Sequence, residues 1–281
     1  MLDKKSVQRY LNHLTPLPTS FEPGGALKQK VKCVLFDIYG TLFISGSGDI
    51  GLADKKSPQI EEINHLLTQY SIRKSPQTLL NEFYRAIKTR HQELRNTGVD
   101  FPEVKIDRIW MQVLSTVDTN IVRKFAVEFE LIVNPVYPMP NLGKMLSTCR
   151  HRNKIMGIIS NAQFYTPHLF RWFLDSDLQE LGFDPELVFY SYQFEVAKPS
   201  PVLFRKAAAT LEARGIQPSS VLYLGNDMLN DIYPAKVTGF QTALFAGDNR
   251  SLRLRSDDPR CKNLSADLVI TDLDQLIPHI V

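Results

Sequence analysis

The sequence predicts an α/β protein, a doubly wound, mostly parallel sheet of Rossmann-like build carrying one α-helical insertion. Three observations carry this reading. From residue 134 onwards, short apolar runs bounded by turn residues alternate with segments of helical period. A similar run, Val34-Leu35-Phe36, stands far upstream and leads directly into Asp37 and a Gly40-Thr41 turn. Between the two, residues 57–133 have helical period and no strand pattern. The chain therefore divides into an extension (1–30), a core (31–50 and 134–281) and a helical insertion (51–133).

Composition narrows the function classes. The 281 residues suffice for one large domain or a core plus an insertion. Hydrophobic residues at 43% and charged residues at 22% fit a soluble globular chain. A net charge of +3 without a dense basic run gives nucleic-acid binding little support. The clusters at 4–5, 28–30 and 250–255 read as solvated surface. Cys33, Cys149 and Cys261 are widely spaced and form no CxxC, which argues against a disulfide framework or zinc site and suits a reducing cytoplasm. The first twenty residues lack an apolar segment and no run of 18 apolar residues occurs, so neither a signal peptide nor a membrane span is expected.

Taken in order, residues 3–14 read as a short helix with Val7, Tyr10, Leu11 and Leu14 on one side, broken by Pro16, Pro18 and Pro23. This extension is expected to pack outside the core and to carry no chemistry. Val34, Leu35 and Phe36 form a strand buried on both faces. A carboxylate at the C-terminal edge of such a strand stands where open α/β sheets bind ligands; an Asp that merely caps a turn is the plain alternative. The Ser/Gly stretch at 45–49, ending in Asp49, lacks the Walker pattern and reads as a flap over a site or as a surface turn.

In the insertion, Ser57-Pro58 and Ser75-Pro76 are N-cap and first-turn pairs opening two helices. Pro102 is expected to open a third, through Trp110, and Asp118 to cap a fourth, through Phe125 and Phe129. The second presents Arg85, Lys88, Arg90, His91 and Arg95, which can meet an anionic substrate or simply face solvent.

Back in the core, helices are expected over 141–151, 164–181 and 201–214, a terminal helix around Leu273 and Leu276, and strands over 155–159, 187–190, 221–225, 240–245 and 268–271. Ser160-Asn161 follows one strand; its hydroxyl and amide can donate to a phosphoryl or carbonyl oxygen, or begin a turn. Lys198 precedes Pro199, which holds its backbone extended and fixes where the ammonium points. Asn226, Asp227, Asn230 and Asp231 follow another strand and can offer oxygen ligands to a hard cation or cap a helix.

Asp37-Ile38-Tyr39-Gly40-Thr41-Leu42, Ser160-Asn161, Lys198-Pro199, and Gly225-Asn226-Asp227 with Asp231 occur in that order. With these four motifs the chain resembles the haloacid dehalogenase-like hydrolases over about residues 31–278. The resemblance implies that residues 51–133 are a cap domain and that Asp37 is the nucleophile. It further implies that Thr41 and Ser160, with Asn161 beside it, orient the transferring group and that Lys198 balances charge. Mg²⁺ would be held by the Asp37 carboxylate and the Tyr39 main-chain carbonyl, with Asn226 or Asp227 and Asp231.

Two departures stand out. Tyr39 occupies the place where the family's phosphatases have an Asp acting as general acid and base, and where the 2-haloacid dehalogenases have Tyr. Asn226 replaces the usual metal-binding Asp. The dehalogenases' Tyr and Trp are here Phe204 and Asn230, and three carboxylates beside one lysine call for a cation. The expectation is a Mg²⁺-dependent phosphatase acting on a small anionic phosphoester through an aspartyl phosphate, its acid/base being Tyr39, Asp49 or water. The alternatives are a metal-independent 2-haloacid dehalogenase and a non-catalytic binding protein of the same fold.

Overall fold

A computed structural model describes residues 2–46 and 60–280. The expected helix start at Ser57-Pro58 and the flap residue Asp49 lie outside the described residues. In chain order the strands are β1 (Gly24–Gly25), β2 (Cys33–Phe36), β3 (Phe43–Ser45), β4 (Val136–Pro138), β5 (Ile155–Ser160), β6 (Phe183–Tyr190), β7 (Val221–Gly225), β8 (Gln241–Phe245) and β9 (Leu268–Ile270). Seven of them form one sheet in the order β1-β9-β8-β7-β2-β5-β6, parallel throughout except for the β1–β9 edge pair.

Strand alternation explains why β2 is apolar at every position. Val34 and Phe36 join one hydrophobic cluster, Cys33 and Leu35 the cluster on the opposite face. Gly157 sits where β5 meets its neighbours; a Cβ there would stand 2.6 Å from both the Leu187 carbonyl oxygen and Leu35 Cδ2. The β5–β6 register shifts at that point, and β6 begins four residues earlier than the expected strand.

Helices α1 (Lys4–Val7), α2 (Ile60–Gln69), α3 (Pro76–Asn96), α4 (Ile106–Val113), α5 (Thr119–Val133), α6 (Leu142–His151), α7 (His168–Leu174), α8 (Ser191–Phe194), α9 (Val202–Glu212) and α10 (Tyr233–Val237) complete the fold. Ser75 and Asp118 cap α3 and α5 as expected, each accepting from main-chain N–H groups of the first turn. Phe83, Trp110, Phe125 and Phe129 form the centre of the helical insertion, with Phe83 stacked on Trp110 at 4.3 Å. The chain leaves for the insertion after β3 and returns through β4, and these two pair antiparallel as a stalk.

Several expectations need correction. Pro102 does not open α4; it bridges antiparallel to Val196, with Ala197 N donating to Phe101 O at 2.7 Å and Glu103 N to Glu195 O at 3.0 Å. The helix expected over 164–181 is only α7, closed by Asp175 at φ 53°. The terminal helix is a 3₁₀ segment, Leu273–Ile280, containing Pro278. The helix expected over 3–14 is one α-turn and one 3₁₀ turn.

The extension also does more than pack outside the core. Glu128 of α5 is 3% exposed and accepts from Arg9 Nη2 (2.6 Å), Tyr10 OH (2.7 Å), Tyr70 OH (2.6 Å) and Gln69 Nε2 (3.1 Å). Leu17 N donates to Asp248 Oδ1 and Arg250 Nη2 to Thr15 O. The extension thus ties the insertion to a core loop. Burial pushes the Glu128 carboxyl up, but its hydrogen-bond donors outweigh this and hold it below the ordinary 4.5. A lowered acid pKa gives stability that is present above the ordinary value and lost as pH falls through it. Glu128→Ala is expected to cost about 1–3 kcal/mol at pH 7 through the orphaned donors. The gap between wild type and variant, read from urea midpoints, should close below about pH 4.

Candidate active site

The register of the sheet assembles the site. β2 lies between β5 and β7, so Asp37, Ser160 and Asn226 emerge side by side at the C-terminal edge. Asp37 N still donates to Leu224 O at 2.9 Å, extending the ladder one residue and fixing the carboxylate's origin. Lys198 Nζ lies 2.7 Å from Asp37 Oδ1, 2.5 Å from Asp231 Oδ1 and 3.2 Å from Tyr223 OH. The ammonium is 3% exposed along its side chain. Burial pulls its pKa down, but Asp231 and Asp37 more than compensate, so it is raised and stays charged.

Asn161 positions this lysine. Its Oδ1 accepts from Lys198 N at 2.7 Å and its Nδ2 donates to Lys198 O at 3.3 Å. Asp231 sits in a π-helical turn, Met228–Ile232, a local widening often found at functional sites. Its Oδ2 accepts from Asn226 N (3.0 Å) and Asp227 N (2.9 Å). Burial, with Asp37 and Asp227 nearby, pushes the Asp231 carboxyl up against the opposing pull of Lys198.

Asp227 is engaged elsewhere. Its Oδ1 accepts from Leu229 N and Asn230 N, and Arg255 reaches both carboxylate oxygens, with Nη2 2.6 Å from Oδ2. Arg255 was expected on the solvated surface; instead it supplies a second cation to the site. Residues 226–228 and 253 exchange main-chain bonds, Arg253 N to Asn226 O (3.0 Å) and Met228 N to Arg253 O (2.8 Å), which holds that loop in place. The three carboxylates therefore face two cations rather than one.

Asn226 Oδ1 accepts from Thr41 Oγ1 at 3.0 Å, and its Nδ2 donates to Ser251 O at 2.5 Å. Gly40 lies against it at φ 82°, where a Cβ would stand 2.6 Å from Asn226 Nδ2. Thr41 is fully buried and points to Asn226 rather than into the cavity. Ser160 is equally buried, and its Oγ finds no partner among the described residues. The Tyr39 hydroxyl rests 3.0 Å from Thr166 Oγ1, and burial, aided by Glu130, raises its pKa, which keeps the phenol neutral.

These groups open into a cavity of about 580 Å³ lined by Asp37, Tyr39, Asn161, Lys198, Asn226, Asp227 and Asp231. Lys88, His91 and Arg95 of α3 and Glu130 of α5 line it from the insertion, Arg253 and Arg255 from the core loop. Of the basic face expected on α3, Arg90 instead pairs with Glu93 and Glu195, and Arg85 does not line the cavity. No helix among the described residues is long and apolar enough to cross a membrane.

Among the described residues no cluster of three His, Cys, Asp or Glu side chains is arranged for a metal. The donor set the family implies would here be the Asp37 carboxylate, whose Oδ1 accepts from Lys198, the Tyr39 main-chain carbonyl, and the Asn226 side-chain oxygen, which accepts from Thr41. Such hard oxygens fit Mg²⁺, which commonly binds through one or two carboxylates and leaves other positions to water and substrate phosphate.

A strand-end carboxylate held by a buried ammonium, beneath a helical insertion on a doubly wound sheet, places a candidate catalytic centre at the carboxyl edge of an α/β fold. The chain belongs to the haloacid dehalogenase-like hydrolases, whose family model matches residues 31–239. It is similar in structure to a 2-haloacid dehalogenase from Pseudomonas syringae pv. Tomato DC3000, at TM-score 0.53 and 18% identity, covering 89% of this chain and 97% of that one. It is also similar to a HAD phosphatase from Thermococcus onnurineus, at TM-score 0.51 and 19% identity, covering 88% and 96%. No curated protein sequence matches this one. At these identities the likeness speaks for the fold.

Proposed function

We propose that the protein is a Mg²⁺-dependent phosphatase acting on a small phosphoester through an aspartyl phosphate on Asp37, with residues 51–133 as its cap. The cavity's charge carries this reading. Lys88 and Arg95 of α3 and Arg253 of the core loop line a space sized for a ligand larger than a short haloacid, alongside the acids Asp37, Glu103, Glu130, Asp227 and Asp231. These three cations, beside the paired Lys198 and Arg255, can meet a dianionic phosphoryl group.

The Asp37 carboxylate attacks phosphorus in line. Its bond to phosphorus forms as the ester P–O bond breaks, and the leaving oxygen takes a proton. Lys198 orients the Asp37 carboxylate, and its contacts with Asp231 and Asn161 fix the ammonium. Ser160 is fully buried behind the cavity wall formed by Asn161 and Ala162, and Thr41 holds the Asn226 amide. Asp37, the Tyr39 carbonyl and Asn226 would hold Mg²⁺, which would supply neutralisation of phosphoryl charge. Water then cleaves the acyl phosphate, releasing inorganic phosphate and regenerating Asp37.

A second reading, haloacid hydrolysis without metal, has Tyr39 in its favour, because a halide leaves without a proton. A panel of aryl phosphates, alkyl phosphates and 2-haloacids, run with Mg²⁺ and with EDTA, separates the two. Phosphate release that needs Mg²⁺ is expected. Halide release persisting in EDTA would replace the proposal with the second reading, and tight binding without turnover would point to a binding protein.

A further inference from the structure

Glu130 is a half-buried carboxyl at the catalytic cavity to which the mechanism above gives no role. It lies in the last turn of α5, beside the stalk through which the insertion rejoins the core. Its Oε2 accepts from Tyr165 OH at 2.9 Å and its Oε1 from Asn134 Nδ2 at 3.0 Å. Asn134 in turn accepts from Ser45 Oγ of β3 at 2.9 Å. The carboxyl is thus held by a core loop on one side and by the stalk on the other. It shares the cavity wall with Asp37, Tyr39 and Lys198.

Tyr39 stands two residues after the nucleophile and turns its hydroxyl to Thr166. Glu130 and Tyr39 line the same cavity, and the Tyr39 hydroxyl, turned to Thr166, leaves the proton-transfer role open to another side chain there. Building on the phosphatase reading, we propose that Glu130 is the general acid and base of the reaction, delivered from the insertion rather than from the nucleophile's own loop.

In the first step the Asp37–phosphorus bond forms, the ester P–O bond breaks, and its electron pair stays on the leaving oxygen, which takes the proton from Glu130. In the second, water attacks phosphorus and gives its proton to the Glu130 carboxylate as the Asp37–phosphorus bond breaks. Asp37 and protonated Glu130 are regenerated, and inorganic phosphate leaves. Burial raises the Glu130 carboxyl despite the Asn134 and Tyr165 hydrogen bonds, which favours the proton it must carry. The titratable groups around it are Tyr39 from the β2 loop, Tyr165 from the β5 loop and Tyr84 of α3, with Glu103 beyond Tyr165 and Asp37 beyond Tyr39. Across the same cavity stand the cations Lys88 and Arg95 of α3, Lys198, Arg253 and Arg255, with His91.

The test is Glu130→Gln, a near-isosteric change, measured on 4-nitrophenyl phosphate and on glycerol phosphate. Rates are normalised to the acid-stable burst of phosphoenzyme, which counts folded sites. For the alkyl ester, kcat/KM is expected to fall about 10²–10⁴-fold. For the aryl ester, whose leaving group needs no proton, kcat/KM should hold while steady-state kcat drops and a nitrophenolate burst appears. Loss of the acid also removes the decline of alkyl kcat/KM as pH rises through the Glu130 pKa. Glu130→Asp, which keeps a carboxyl, should recover part of the alkyl activity. Equal losses on both esters, or an unchanged pH profile, would overturn the assignment of Glu130 alone. A wild-type chain silent toward both esters would overturn the phosphatase reading and this proposal with it.

Discussion

Asp37→Asn is expected to abolish phosphoester turnover, by at least about 10⁴-fold, as removal of a covalent nucleophile does in other hydrolases. The fold should survive. Lys198 keeps its 2.5 Å contact with Asp231, and the Asn side chain can still accept from the ammonium at position 37. Neither acid-stable phosphoenzyme nor burst should form, while the melting temperature stays close to wild type. Turnover within tenfold of wild type in a clean preparation would show that the carboxylate is not the nucleophile, whatever the substrate.

Lys198→Met should act on both stability and rate. The ammonium is the direct partner of two carboxylates that are almost wholly buried. Removing one member of a buried ion pair typically costs about 3–5 kcal/mol, because the remaining charge has no compensation. Here two acids would be left, and Asp231 already stands at about 7 with the lysine present. Without it, the buried Asp231 carboxyl loses the group that opposes its rise and must take up a proton in order to fold. A raised acid pKa means that stability is lost as pH rises through it. The variant should therefore approach wild-type stability near pH 5 and fall well below it at pH 8, in denaturant titrations at both values. A pH-independent deficit would mean that water or Arg255 takes over the lysine's role.

Much of this architecture is written in local pattern. The run ending at Asp37 shows its two-faced burial because a parallel strand covered on both sides has no polar position to offer. Ser75-Pro76 and Asp118 show their helix starts because capping depends on neighbouring residues alone. Asp37, Ser160, Lys198 and Asp231 were legible from their places at strand ends and loops, and the register brings them to one edge.

What stayed hidden depends on distant chain. Arg255 meets Asp227 at a separation of 28 residues, with α10 and β8 between them, and nothing near either residue in the sequence announces the pair. Glu130 looks like any helical acid until α5 is packed against Tyr165. Glu128 gathers donors from the extension and from α2, so neither side shows the cluster alone. Thr41 and Asn226 are recognisable as site residues, but their hydrogen bond to one another is a product of the β2–β7 neighbourhood. Pro102 misled because proline opens helices and also edges of pairing, and only the 195–197 partner decides which.

That last pairing has a mechanical consequence. The insertion is fastened to the core at its stalk and again where residues 101–103 clasp 195–197, directly before the lysine that steadies the nucleophile. If the insertion is the cap proposed above, lifting it by any large rotation must either tear those main-chain bonds or tug the ammonium away from its carboxylates. Admission of substrate and disarming of the nucleophile would then be one motion, with attack possible only after the roof has settled.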